Sequence, residues 1–211
     1  MRRTSPVLLV VLGILVILLF LGCGSYNNLV KEDENVKKSW GNVQSAYQRR
    51  ADLIPNLVET VKGEASFERG TLNDVISARA RATSMQVSPE NLTPENMQQF
   101  QQAQGQLSGA LSRLLVTVKQ YPTLRANDAF RDLQRQLEGT ENRINTERNR
   151  FNESVQPYNT KVRSFPTNIF AGMMGFRPRP PFEAEAGSQN APRVDFGGSN
   201  QPAVKFDSTR R

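Results

Sequence analysis

The chain has 211 residues, a net charge of +7, no histidine and a single cysteine. Those absences exclude a Ser-His or Cys-His dyad, a histidine-ligated metal site and any internal disulfide. Aromatic residues make up 8% and charged residues 22%, a mixture that suits exposed helices better than sheets.

Arg2 and Arg3 precede an unbroken apolar run from Pro6 to Leu21, closed by Gly22-Cys23-Gly24-Ser25. Read as an uncleaved span, this segment is at the short end of what crosses a bilayer. Read as a signal, it has a basic start and a small residue at its close. Phe20-Leu21-Gly22-Cys23 resembles the bacterial lipoprotein box, which makes Cys23 a candidate for lipidation. Both readings tether the body to a membrane, so residues 1–25 are expected to be an anchor or lipoprotein signal. Lys31, Lys37 and Lys38 nearly balance Arg2 and Arg3. Large domains translocate largely regardless of such charge, and the body is expected outside the cytoplasm.

Apolar residues then recur at Val36, Trp40, Val43, Tyr47, Ile54, Leu57 and Val61 in steps of four and three, interrupted only by Arg50. This is the period of a helix burying a narrow seam. The pattern resumes through Ala65, Leu72, Val75 and Ile76, with Pro55 and Gly63 as breaks. One kinked helix and two helices both fit. Thr93-Pro94-Glu95 is a helix start, with Thr93 as cap and Pro94 as first residue. The seam that follows runs from Met97 to Tyr121 with Gln104 as its polar member, until Pro122. Asn127 or Asp128 can cap a further helix, whose seam runs from Phe130 to Val162 past Pro157. No segment alternates with period two. The body, residues 26–165, therefore reads as all-α: an up-and-down antiparallel bundle of three to four long helices.

Two constellations stand out. Gln104, Glu141 and either Glu147 or Arg148 occupy seam positions, and Arg79 lies on the fading seam of the first stretch. Counting from the turns brings Arg79 near Gln104 and these acids, so it is expected to pair with one of them in a buried polar layer, unless all are surface charges. The second is Arg49 to Asn56. Arg50 is charged on a seam, Pro55 breaks a helical pattern, and Asp52 and Asn56 offer short polar side chains beside it. Either Asp52 and Asn56 satisfy the groups that proline frees while Arg50 pairs inside the bundle, or the kink opens a groove where Arg49 and Arg50 meet a partner.

From Pro166 the periodicity ends, and Pro and Gly supply eleven of the last forty-six residues. Residues 166–211 are expected to be a flexible tail. Its apolar stretch Asn168 to Phe176 is suited to folding back, touching lipid or binding a partner.

Several ordered strings resemble the LemA family of bacterial membrane proteins. They are Tyr26-Asn27-Asn28-Leu29-Val30, the run from Arg49 to Val58, Glu138-Gly139-Thr140-Glu141-Asn142-Arg143, Tyr158-Asn159-Thr160 and Phe165-Pro166 through Phe176. Glu64 and Phe67 depart from the family pattern. The resemblance implies a helical bundle on one N-terminal membrane anchor, and it implies no reaction.

The expected function is thus non-enzymatic: a membrane-tethered envelope scaffold that recruits partners. The alternative is a binding module for anionic lipid or cell-wall polymer, suggested by the positive charge. The expected partners are membrane lipid through the N-terminal segment and another envelope protein. Neither nucleic acid nor a small-molecule substrate is indicated, and no cofactor is expected.

Overall fold

A computed structural model describes the backbone of residues 6–64 and 66–183, and the side chains among these except those of 6–23 and 25. It is all-helical over these residues. Six helices follow one another: α1 (Pro6–Lys62), α2 (Arg69–Ser84), α3 (Pro94–Val118), α4 (Pro122–Ala126), α5 (Asp128–Arg163) and α6 (Thr167–Met173), with a 3-10 turn at Pro89–Asn91.

Local chemistry sets the boundaries. The Thr93 hydroxyl accepts from the Asn96 N–H at 3.2 Å, and the Asn127 carboxamide accepts from the Phe130 N–H at 3.1 Å. Each satisfies one of the donors a helix start leaves orphaned. Pro94 and Pro122 stand first in their helices, where no N–H is needed. Pro55 and Pro157 lie inside α1 and α5 without ending them. The first stretch is two helices: α1 ends at Lys62 and α2 begins at Arg69. At the end of α6 the Phe176 N–H reaches the Ala171 carbonyl at 3.0 Å, and Gly175 has φ +80°. That is the left-handed helix stop for which glycine has no steric penalty.

Four helices form the body, and α1 with α5 is its longest contact. Residue numbers fall along α5 as they rise along α1: Glu32 meets Lys161, Trp40 meets Phe151, and Arg50 meets Glu141. The pair is antiparallel. So are α2 and α3, where Ala82 meets Gln104 and Asp74 meets Arg113.

The core has two apolar parts. Near the start of the body, Trp40 packs on Phe100 and Phe151 with ring centroids 5.3 and 5.4 Å away. Its indole N–H donates to the Val87 carbonyl at 2.8 Å. The second part gathers Ile54, Leu57, Val61, Val75, Leu107 and Leu114. Each fully buried aliphatic side chain contributes about 1.5–3 kcal/mol. Between the two parts lies Arg50.

Two expectations change. Ile76 is exposed, and the α2 seam is Leu72, Val75, Ala78 and Ala82. Residues 166–183 are not a loose tail: α6 buries Ala171 and the chain after it buries Phe182. They fold back on the bundle. The predicted anchor and Cys23 lie outside the residues whose side chains are described. Among the described residues, no helix is long and apolar enough to cross a membrane.

Candidate functional site: the Arg50 layer, its grooves and the strap

Arg50 falls on the buried face of α1 because the seam spacing puts it there, four residues before Ile54. It is 2% exposed. Its Nη1 donates to the Ser108 hydroxyl at 2.8 Å and to the Glu141 carboxylate at 2.9 Å. Nη2 donates to the Gln104 side-chain oxygen at 2.8 Å. The guanidinium also lies 5.1 Å from the Tyr47 ring centroid, a cation–π distance. Gln104 in turn donates to the Ala82 carbonyl at 3.3 Å. One cation thereby joins α1, α3 and α5 directly, and α2 through Gln104. A buried charge is costly unless bonded, and Arg50 is bonded from two neighbouring helices, α3 and α5.

The predicted polar layer is therefore centred on Arg50, and Arg79 stands outside it. Arg79 Nε donates to the Ala51 carbonyl at 2.8 Å. Counting along α2 and α3 brings Arg79 close to Gln104, but Glu141 is taken by Arg50 of α1 and Glu147 by arginines of α5 itself. The Ala51 carbonyl is the one that Pro55 leaves without a helical donor. Arg79 fills that gap, and neither Asp52 nor Asn56 does so. The Asp52 carboxylate accepts from Gln48 at 2.7 Å, and the Asn56 backbone carbonyl accepts from Thr60 at 2.8 Å.

Arg49, one residue from the buried arginine, is exposed and lines two grooves. One, of about 570 Å³, lies beside Gln44, Gln48, Asp52 and Gln86. The other, of about 540 Å³, lies between α1 and α5 with Asn42, Gln136 and Arg143 on its walls and no carboxylate. Arg50 is buried and lines neither groove, so of the two arginines only Arg49 is exposed there. Amides, hydroxyls and guanidiniums in such walls can hydrogen-bond a ligand. Among the described residues, no group of three His, Cys, Asp or Glu is placed to hold a metal.

Other polar seam residues have separate partners. Glu147 is 1% exposed; its carboxylate accepts from Arg150 at 2.9 Å and is ion-paired with Arg143 at 2.8 Å. Arg148 lies over the Phe182 ring at 4.9 Å. At the far turn, Glu64 accepts from Thr123 at 2.6 Å, and Phe67 packs on Tyr121 at 5.1 Å. The Thr123 hydroxyl, then that of Ser66, holds the Glu64 carboxyl below its ordinary range.

The sequence reading missed an extended strap, residues 176–183, along α5. Asn159 accepts from the Arg179 N–H at 2.7 Å and donates to its carbonyl at 2.8 Å. Asn152 treats Phe182 alike, at 2.8 and 3.1 Å. Seven helical residues and three extended residues both measure about 10 Å, so the two asparagines match the strap's spacing. The Tyr158 hydroxyl donates to the Arg177 carbonyl at 3.0 Å, and burial pushes this phenol above its ordinary range. The Arg179 guanidinium crosses to Asp33 on α1 at 3.2 Å and to the Glu90 carbonyl at 3.1 Å. The available signal was Arg177-Pro178-Arg179-Pro180-Pro181-Phe182, an extended string ending in an aromatic, together with asparagines seven apart on α5.

Comparison with known proteins adds a family. The family model described as "LemA family" matches residues 39–196. Magnetosome protein MamQ 2 of Paramagnetospirillum magneticum is 25% identical over 169 residues, covering 72% of this chain and 62% of that protein. Magnetosome protein MamQ of Magnetospirillum gryphiswaldense is 25% identical over 171 residues, with the same coverage. Protein LemA of Metamycoplasma hominis is 21% identical over 152 residues, covering 72% of this chain and 66% of that protein. The match thus spans less than two thirds of the length of these relatives.

Proposed function

Because the chain belongs to the LemA family, we propose that it is a non-enzymatic scaffold of the bacterial envelope, tethered by its N-terminal segment and recruiting another protein through the body. The observation that carries this reading is the continuity of α1. The apolar run and the first helix of the body are one helix, Pro6–Lys62, so a tethered run would hold the bundle upright on the membrane. The body is assigned to the outer side of that membrane. The groove walls support a binding role over a reaction: between them they hold one carboxylate, Asp52, amid amides and arginines. The same likeness extends to relatives named for a magnetosome and to one named only for the family, which favours a general scaffold.

Crosslinking in native membranes from a photoreactive residue at Gln48 tests the proposal. A discrete protein partner is expected, and Arg49→Gln should remove it without changing the melt. Crosslinks that survive Arg49→Gln would sink the docking role of this surface. The absence of any crosslinked protein would sink recruitment. A second reading, binding of an anionic polymer, is favoured by the α1–α5 groove, whose charged wall residues are Arg49 and Arg143. That binding should weaken steeply with salt.

A further inference from the structure

The end of the body from which the apolar run departs carries a cluster of exposed apolar side chains. Of the large apolar side chains exposed among the described residues, Tyr26, Phe165, Ile169, Met173 and Met174 lie together here, and Ile76 and Val116 lie singly elsewhere. Single exposed apolar residues are ordinary; a cluster marks an interaction site. Phe165 and Met173 are 81% and 82% exposed. Ile169 and Met173, four apart, share one side of α6, and Phe165 stands two residues before its first turn. The opposite side is fixed: Ala171 is buried, and Phe176 meets Tyr26 edge to face at 6.1 Å.

Position and charge identify what covers this face. Tyr26 stands five residues beyond Leu21, about 7.5 Å along the same helix. The α6 face is therefore level with the region just outside the apolar run, where amphipathic elements and aromatic residues lie in a bilayer. Two acids on α1 at this end are ion-paired. Glu32 is bonded to Lys161, and Asp33 to Arg179 and Lys37. Lys31, Arg163 and Arg177 make no salt bridge among the described residues. An apolar face flanked by cations that hold no acid suits an anionic lipid surface.

We infer that the outer face of α6 is a second membrane contact, seated in the headgroup region of the same bilayer that holds the N-terminal run. It rests on the tethered reading above. Two contacts fix the tilt of the bundle where a single helix would leave it free to rock.

The test reconstitutes the full chain into phosphatidylcholine–phosphatidylglycerol vesicles with brominated acyl chains, which quench a tryptophan that touches them. Met173→Trp and Ile169→Trp are compared with Val116→Trp, each after subtracting the parent signal of buried Trp40. The α6 tryptophans should lose most of their added emission, and Trp at 116 should lose none. If the chain floats with the vesicles but the α6 tryptophans are unquenched, the inference fails and the tether stands. Lipid-unquenched tryptophans that are also shielded from aqueous iodide would assign the face to a protein instead, which overturns it equally. A chain that does not float overturns the tether and, with it, this contact.

Discussion

Arg79 Nε lies 2.8 Å from the Ala51 carbonyl, the group that Pro55 leaves without a donor. A proline that would weaken α1 is thus compensated from a neighbouring helix, at one hydrogen bond to a charged group. Arg79→Met should cost about 1.5–3 kcal/mol in urea unfolding. In a Pro55→Ala background residue 55 regains its N–H, and the same substitution should cost markedly less. Equal costs in the two backgrounds would show that Arg79 and Pro55 are uncoupled.

Arg50 and Glu141 form a pair of unequal partners. The Arg50 side chain is 3% exposed and that of Glu141 48%. Arg50→Met strands the side chains of Gln104 and Ser108, and should cost about 2–3 kcal/mol. Glu141→Gln keeps an acceptor and can be hydrated, so it should cost less than about 1 kcal/mol. Chemical denaturation of both variants checks the order, and a reversal would mean that the acid, not the arginine, organises the layer.

The strap can be loosened without opening the bundle. Asn152→Ala and Asn159→Ala each delete two hydrogen bonds to strap backbone. Amide exchange over residues 177–183 should accelerate in both variants while the global melt moves little. Phe182 stacks beside Trp40 with centroids 6.0 Å apart, so the emission of the single tryptophan should shift to the red. Unchanged exchange and emission would mean that ring packing alone holds the strap.

Stability should fall in acid partly through Glu32. The hydrogen bond from Lys161 at 2.6 Å holds the Glu32 carboxyl below its ordinary range. A depressed carboxyl stabilises the fold above its unfolded value, about 4.3, and that contribution is lost as pH falls through the folded value. Glu32→Gln should therefore lower the melting temperature at pH 7 and converge with the parent in strong acid. Tyr158 acts in the opposite direction. Its raised value stabilises the fold below about 10, and the contribution is lost as pH rises further. Tyr158→Phe should flatten that alkaline decline, as thermal melts across pH would show.

What the sequence revealed depended on range. The caps at Thr93 and Asn127 were legible because a cap is a contact over three residues. The seams of α1, α3 and α5 were legible because periodicity is local. That Arg50 needed a partner followed from its place on a seam, but which acid it met depended on α5 lying against α1, a fact no local pattern carries. Arg79 shows the same limit, since its target is a backbone carbonyl that only Pro55 distinguishes. The strap was hidden because Pro-rich composition has the same look whether the chain is loose or held, and Asn152 and Asn159 bind backbone, which leaves no complementary residue type to find.

The strap also behaves as a ruler. Phe176 meets Tyr26 and Phe182 meets Trp40, so the steps from 176 to 182 must span the rise from 26 to 40 on α1. Both lengths are about 20 Å when the strap is extended and α1 is helical. The segment has no slack. Deleting one residue between Phe176 and Phe182 would force a choice between the ring stack at Trp40 and the contact at Tyr26, whereas a substitution of equal length would leave both intact.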